Sequence, residues 1–270
     1  MKKKFQEKYG PWALITGASS GIGAEFAKEL AEKGLNLVLV ARRKAVLDKE
    51  AARLQKEYGI EAMPIELDLT EDGAVEKLAE MTKELDIGLV IPNAGMITYG
   101  SFIKTPLEAQ EKLLKLNIMV PMQMAHIFGQ RLAKRGKGGI VMVSSTFAYQ
   151  AVPYFGNYAA SKSYILYLAE ALHYELADKG VKVVALSPGL TDTEMPGKIP
   201  MDFSKMPMKI MKPEAVVKTA FKGLCHDKSS IVAGGMNKMM AAMSQRMMTR
   251  SGVASMFGGM NKKAMDPEYI

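Results

Sequence analysis

The chain has 270 residues, 36 Lys and Arg against 28 Asp and Glu for a net charge of +8, and 48% hydrophobic residues. That size suits one α/β core with a short C-terminal appendage, and the ordinary balance excludes a disordered or fibrous chain. No stretch approaches the roughly 20 uninterrupted apolar residues of a membrane span, and one cysteine, Cys225, leaves no internal disulfide to form.

The start, Met-Lys-Lys-Lys, runs into Phe5, Gln6 and Glu7 where a secretory signal would place an apolar core, so a reducing cytoplasm is expected. Short apolar runs at 12–16, 35–41, 62–67, 87–92, 139–144, 181–187 and 230–233 read as strands buried on both faces. Helical patterns at 24–33, 45–58 and 70–85 separate them and are long enough for right-handed crossovers. The alternation predicts an α/β fold, a doubly wound parallel sheet with helices on both faces.

Directly after the first strand comes Thr16-Gly-Ala-Ser-Ser-Gly-Ile-Gly23, with Gly17, Gly21 and Gly23 where the chain must turn sharply into a helix. The amides of that helix N-terminus, around Ile22, and the hydroxyls of Ser19 and Ser20 form a site for a pyrophosphate. The second strand ends in Arg42-Arg43, with no carboxylate where an NAD enzyme would hold the ribose 2′-hydroxyl. A guanidinium can instead take a 2′-phosphate in a forked geometry, so Arg42, with Arg43, points to NADP(H).

Further along, Tyr158-Ala-Ala-Ser-Lys162 places Tyr and Lys four residues apart, on one face of a helix. A neighbouring ammonium favours the phenolate and lowers a tyrosine pKa, which makes the pair suitable for proton transfer. Ser145 closes the fifth strand 13 residues before Tyr158, and Asn117 lies on the long helix after Asn93-Ala94-Gly95. This glycine spacing and the set Asn117, Ser145, Tyr158 and Lys162 resemble the short-chain dehydrogenases over roughly residues 10–195, and imply a Rossmann-type fold.

The resemblance implies further roles. Asp68 and Leu69 resemble an adenine-binding pair, Asn93, Ala94 and Gly95 a cofactor-contacting turn, and Pro188, Gly189, Thr191 and Thr193 a nicotinamide-side segment. It also implies that Tyr158 donates a proton to a carbonyl oxygen as hydride reaches the carbon, that Ser145 bonds the same oxygen, and that Lys162 holds the nicotinamide ribose. Asn117 would anchor a water serving Lys162. No metal is expected. A non-catalytic NADPH-binding sensor or scaffold is the competing class, and the intact tetrad argues against it. Nucleic-acid binding has no recognisable module behind it.

Beside the nicotinamide, Met96, Phe147, Phe155, Met195 and the loop 190–211 predict an apolar, adaptable pocket, extended by Tyr149, Val152 and Tyr154. Such a pocket favours a hydrophobic carbonyl or alcohol: a 3-oxoacyl thioester, a steroid-like ring or another bulky ketone. Residues 196–270 hold twelve Lys or Arg against five Asp or Glu, and 13 of the 22 methionines. This basic third is a candidate contact for an acidic acyl carrier or a membrane surface. Cys225, after an apparent helix at 215–224, reads as a packed thiol.

One catalytic domain is therefore expected over 1–235, with a Met-rich basic extension over 236–270. Met236, Met239, Met240, Met243 and Met247 form a stripe that reads as a packing face, onto the domain or a second subunit, or as a roof over an acyl pocket. Beyond Gly252 a poorly ordered tail is expected. Apolar faces around 113–124 and 165–176 resemble the helices through which short-chain dehydrogenases form homodimers or homotetramers.

Overall fold

A computed structural model describes residues 2–206 and 209–270. The apolar runs form β1 (Trp12–Thr16), β2 (Asn36–Ala41), β3 (Ala62–Glu66), β4 (Ile87–Ile91), β5 (Gly138–Val143), β6 (Val181–Ser187) and β7 (Ser230–Val232). All pairings are parallel, in the order β3-β2-β1-β4-β5-β6-β7. The order reverses between β1 and β4, opening a crevice beyond the carboxyl ends of those strands.

Side chains alternate along each strand, and both faces are covered. Ala13 and Ile15 point to one layer with Phe26 and Leu30 of α2 (Gly21–Glu32), Leu47 and Leu54 of α3 (Lys44–Tyr58), and Val216 and Ala220 of α8 (Pro213–Cys225). Leu14, Val38 and Val40 point to the other, against Leu78 of α4 (Ala74–Met81), Phe128 of α6 (Val120–Arg135) and Ile165 and Leu166 of α7 (Gly156–Glu175). Each fully buried Leu or Val contributes roughly 1.5–3 kcal/mol, which explains why these strands are continuously apolar.

Three local expectations need correction, and one element was not anticipated. The helix expected over 70–85 spans only Ala74–Met81, because Glu71 N bonds Asp68 O in a turn and Gly73 takes a φ of 72°. Ahead of β1 an additional helix, α1 (Lys2–Tyr9), packs Phe5 edge-on against Phe221 at 5.5 Å. Cys225 is exposed, since it closes α8 on the side away from the core. Beyond Gly252 the chain is helical: α10 (Arg250–Ala264) follows α9 (Gly235–Arg246) and buries Val253, Phe257, Asn261 and Ala264. Among the described residues no helix is long and apolar enough to cross a membrane.

Candidate active site

One cavity of about 750 Å³ opens at the β1/β4 crevice and runs under α10. Its first end is built from backbone. Gly17 (φ 67°) and Gly21 (φ 58°) need the left-handed region, and a Cβ on Gly17 would stand 2.9 Å from Asn93 Nδ2. Gly23 is packed closer still, with Gly17 O 2.2 Å from where its Cβ would be, so it shapes the turn and does not line the cavity. Asn93 secures the opposite wall: its Nδ2 donates to Thr16 O at 3.0 Å, while the amides of Asn93 and Ala94 both bond Thr16 Oγ1.

Ser19, Ser20, Ile22, Arg42, Arg43, Asp68 and Leu69 face the same space. Arg42 is largely exposed, 3.8 Å from the Asp68 carboxylate. Arg43 is laid across the glycine loop: Nε and Nη2 donate to Ser19 Oγ at 3.2 and 3.1 Å, and Nη1 reaches both Glu194 oxygens at 3.1 and 3.2 Å. Glu194 is thus a functional-loop residue that sequence reasoning missed. Its only sequence signal is its place next to Thr193. A cradle that admits no Cβ at Gly17 or Gly21, set at the N-terminus of α2 and flanked by two guanidinium groups, fits the pyrophosphate of a dinucleotide.

At mid-cavity β5 and α7 bring Ser145, Tyr158 and Lys162 to one wall. Lys162 is 6% exposed, its Nζ donates to Val143 O at 2.9 Å, and it lies 5.8 Å from the Tyr158 ring centroid. Burial holds the Lys162 ammonium down to about 8. Loss of solvent around the half-buried Tyr158 pushes its phenol up, against an opposing pull from the Ser145 hydroxyl. The expected downward effect of Lys162 therefore does not prevail here, because its Nζ is directed to the Val143 carbonyl. Ser145 Oγ accepts from Phe147 N at 3.2 Å, while Ser144 Oγ donates to Lys162 O at 2.7 Å and has a backbone-packing role.

Asn117 stands outside the cavity wall, 1% exposed, within a π-helical turn (Lys115–Met119) between α5 (Leu107–Leu114) and α6. Its Oδ1 accepts from Met96 N at 2.9 Å, and Nδ2 donates to Met96 O at 2.8 Å and Ser161 Oγ at 3.2 Å. The side chain clamps the turn that carries Gly95 and Met96. A Cβ on Gly95 would lie 3.2 Å from Asn117 Oδ1 and 3.6 Å from Lys162 Nζ, so this turn and the Lys162 head are in close register.

Pro188, Gly189, Thr191, Thr193 and Met195 continue the wall along the loop after β6. The ends of that loop are pinned together by Asp192 N to Met211 O and Met211 N to Leu190 O, each 2.9 Å. Thr193 packs on the glycine turn, its Cγ2 2.9 Å from the position of a Gly21 Cβ. Residues 207 and 208 of the same loop lie outside the described residues.

The far end is apolar. Met96, Phe147, Phe155, Met195, Ile199 and Met201 line it. Tyr149 instead turns to Ser187 at 3.3 Å, and Val152 and Tyr154 pack behind the wall. Tyr154 adopts a positive φ of 69°, a rare conformation for a bulky residue, and its carbonyl holds Gly100 N at 2.8 Å. Val253, Phe257 and Met265, from α10 and the turn after it, back that lining as a buried cluster with Phe155. Backbone bonds stitch that cover to the loop: Asp202 N to Ala264 O at 2.8 Å and Asp266 N to Pro200 O at 3.0 Å.

The methionine stripe is not the roof. Met236, Met239, Met243 and Met247 are 41–76% exposed, and α9 packs inward through Asn237 and Ala241, with only Met240 of the stripe joining the apolar cluster. Asn237 explains Gly189, whose Cβ would stand 2.3 Å from Asn237 Nδ2. Among the described residues no cluster suited to a metal ion is present.

Residues 11–202 match the short-chain dehydrogenase family. The chain is 33% identical to a 7β-hydroxysteroid dehydrogenase of Clostridium sardiniense over 234 residues, covering 87% of this chain and 89% of that protein. It is 36% identical to a very-long-chain 3-oxoacyl-CoA reductase of Neurospora crassa over 193 residues, 70% of this chain and 58% of that one. A short-chain dehydrogenase from Sphingobium yanoikuyae, solved in complex with NADPH, superposes with a TM-score of 0.80 at 32% identity, covering 91% of this chain and 96% of the other. On the family match and this full-length likeness, the chain belongs to the short-chain dehydrogenases, and it is an oxidoreductase of that family.

Proposed function

We propose that this protein reduces a hydrophobic ketone to its alcohol at the expense of NADPH. The observation that carries the reading is the convergence of Ser145, Tyr158 and Lys162 on one wall between a dinucleotide cradle and an apolar chamber. When bound, the reduced nicotinamide supplies the hydride. Tyr158 gives its phenolic proton to the carbonyl oxygen as the carbon accepts that hydride, so the products are an alcohol and the oxidised dinucleotide. A phenol held high by burial keeps its proton at neutral pH and is suited to the role of acid.

Ser145 donates a hydrogen bond to the same oxygen as negative charge grows on it. Lys162 holds the nicotinamide ribose and, moved from Val143 O toward the phenol, favours the phenolate left after proton transfer. Asn117 positions the Gly95–Met96 turn beside Lys162. The cofactor contacts assigned to the glycine loop, Asp68, Leu69, Asn93 to Gly95 and Pro188 to Thr193 follow from their places along the same wall. Arg42 and Arg43 would hold a 2′-phosphate, as guanidinium groups suited to forked pairing with it. The Sphingobium relative's complex with NADPH supports this preference.

For the substrate, a steroid-like ketone fits the flat aromatic and methionine lining of the far end, and the Clostridium relative is named for a hydroxysteroid. A 3-oxoacyl thioester belongs to the same reading because the Neurospora relative is named for one. Exposed apolar residues on and before α5, among them Ile103 and Leu107, and on α7, Tyr167 and Tyr174, suit a homodimer or homotetramer. The test is NADPH and NADH oxidation against steroid ketones, 3-oxoacyl thioesters and small ketones, with Tyr158→Phe alongside. Turnover that collapses in the variant is expected; equal turnover by both proteins would sink the reading.

A further inference from the structure

Asn261 occupies a position that the rest of its helix face would give to an apolar residue. On α10 it follows Val253 and Phe257 at intervals of four, all buried, and it is itself 0% exposed. Its Nδ2 donates to Pro153 O at 2.8 Å. That bond fixes the amide orientation, because the oxygen in that place would confront another acceptor. Oδ1 is left over, and among the described residues it is the one buried side-chain polar atom without a hydrogen-bond partner.

Asn261 also belongs to the wall of the cavity, together with Phe155, Met201 and Met206. An unpaired acceptor among apolar groups is unfavourable, so its retention needs a partner that arrives from outside the fold. The flexible methionines sharing that wall can shift to let a ligand group reach it. We infer that Asn261 Oδ1 accepts a hydrogen bond from an O–H or N–H that the substrate carries away from its reacting carbonyl.

This rests on the reading of the cavity as a ketone site, and it narrows the substrate class to hydrophobic ketones bearing a remote hydrogen-bond donor. The donor has two chemical sources: a ring hydroxyl, or the amide of a pantetheine-like thioester arm. A ligand lacking it leaves Oδ1 unpaired and binds more weakly on that ground.

The experiment is calorimetric binding to the native protein and to Asn261→Leu, both with a redox-inert tetrahydro-NADP present so that neither the ketone nor the hydroxyl of a probe reacts. One probe pair is androsterone and the same steroid ketone without its ring hydroxyl. The other is a 3-oxoacyl N-acetylcysteamine thioester and the matching S-alkyl thioester with no amide. In one pair the donor-bearing member is expected to bind the native protein about tenfold more tightly, and Asn261→Leu to abolish that preference while leaving the donor-free member within about twofold. Preference in the steroid pair identifies a hydroxyl and preference in the thioester pair an amide. Uniform weakening of all probes by Asn261→Leu would reduce Asn261 to a tether for Pro153 and overturn the inference. So would a native protein indifferent to the donor in both pairs, which needs no variant to fold. Because binding does not require turnover, failure of the reductase reading would show separately, as binding without NADPH oxidation.

Discussion

At the β1/β4 crevice the cavity is bounded by backbone that tolerates no side chain: Gly17 and Gly21 at positive φ, with Asn93 and Thr193 within 3 Å of where their Cβ atoms would be. Under α10 it is bounded by packed side chains, with Phe155 on the wall and Val152, Phe257 and Met265 clustered behind it, and two backbone bonds tie that cover to the loop. The first end has a shape set by local conformation and is rigid for one ligand. The second has a shape set by packing, which methionine-rich surfaces can readjust. In the proposed reading one chain thus holds a constant group at one end and a variable one at the other, with Tyr158 and Lys162 between them.

The sharpest way to break this division is at the junction. Tyr158→Phe removes one oxygen from the wall, so turnover should fall by roughly 10²–10⁴-fold. Calorimetric affinities for NADPH and ketone should stay close to native, since the ring remains. Loss of both affinities together with activity would mean that Tyr158 supports the wall and not the chemistry. Next in size is Arg43→Leu, which touches only the cofactor end. NADPH affinity should drop about 10- to 100-fold, NADH affinity should hardly change, and the KM for ketone should be spared. An equal loss for both dinucleotides would assign Arg43 to holding the glycine loop through Ser19. A smaller effect is expected from Phe257→Ala at the cover, with KM for a bulky ketone up about tenfold and NADPH affinity kept. If NADPH binding weakens as much, the two ends are not independent.

The cofactor end was legible in the sequence because its requirements are local. A glycine that must take positive φ, or an Arg-Arg at a strand end, is visible without knowing what lies across the fold, and the predicted strands, glycine turn and Tyr158–Lys162 pair all meet at one wall. The substrate end was not, since it depends on residues more than 100 positions apart, as in Asn261 with Pro153. The spacing of Met236, Met239, Met243 and Met247 reads as a helix face to be buried, yet α9 buries Asn237 and Ala241 because those are the side chains turned toward Gly189 and the 146–149 turn. The Ser, Gly, Met and Lys composition beyond Gly252 hides Val253, Phe257 and Asn261, whose four-residue spacing was the available signal for α10. Arg43 with Glu194 is a pair separated by 151 residues, which no local pattern reveals.

The last effect concerns the stability contributed by Lys162, and it separates the junction from both ends through pH. Burial brings its ammonium down to about 8, against an ordinary value of 10.5 in the unfolded chain. Between those values the unfolded chain keeps a proton that the folded chain has released, so stability rises with pH across that window. Below it the folded protein bears the full cost of a buried ammonium. Tyr158 works in the opposite sense: its phenol is raised, so above its ordinary 10.0 the unfolded chain loses its proton first and stability falls. The gain from Lys162 is therefore readable between about pH 8 and 10, where it amounts to roughly 2 kcal/mol. Urea unfolding of the native protein and Lys162→Met across that range isolates it, because every other titrating group is common to both. The native protein should gain on the variant as pH rises; parallel curves would show that Lys162 is already neutral, or still solvated, in the fold.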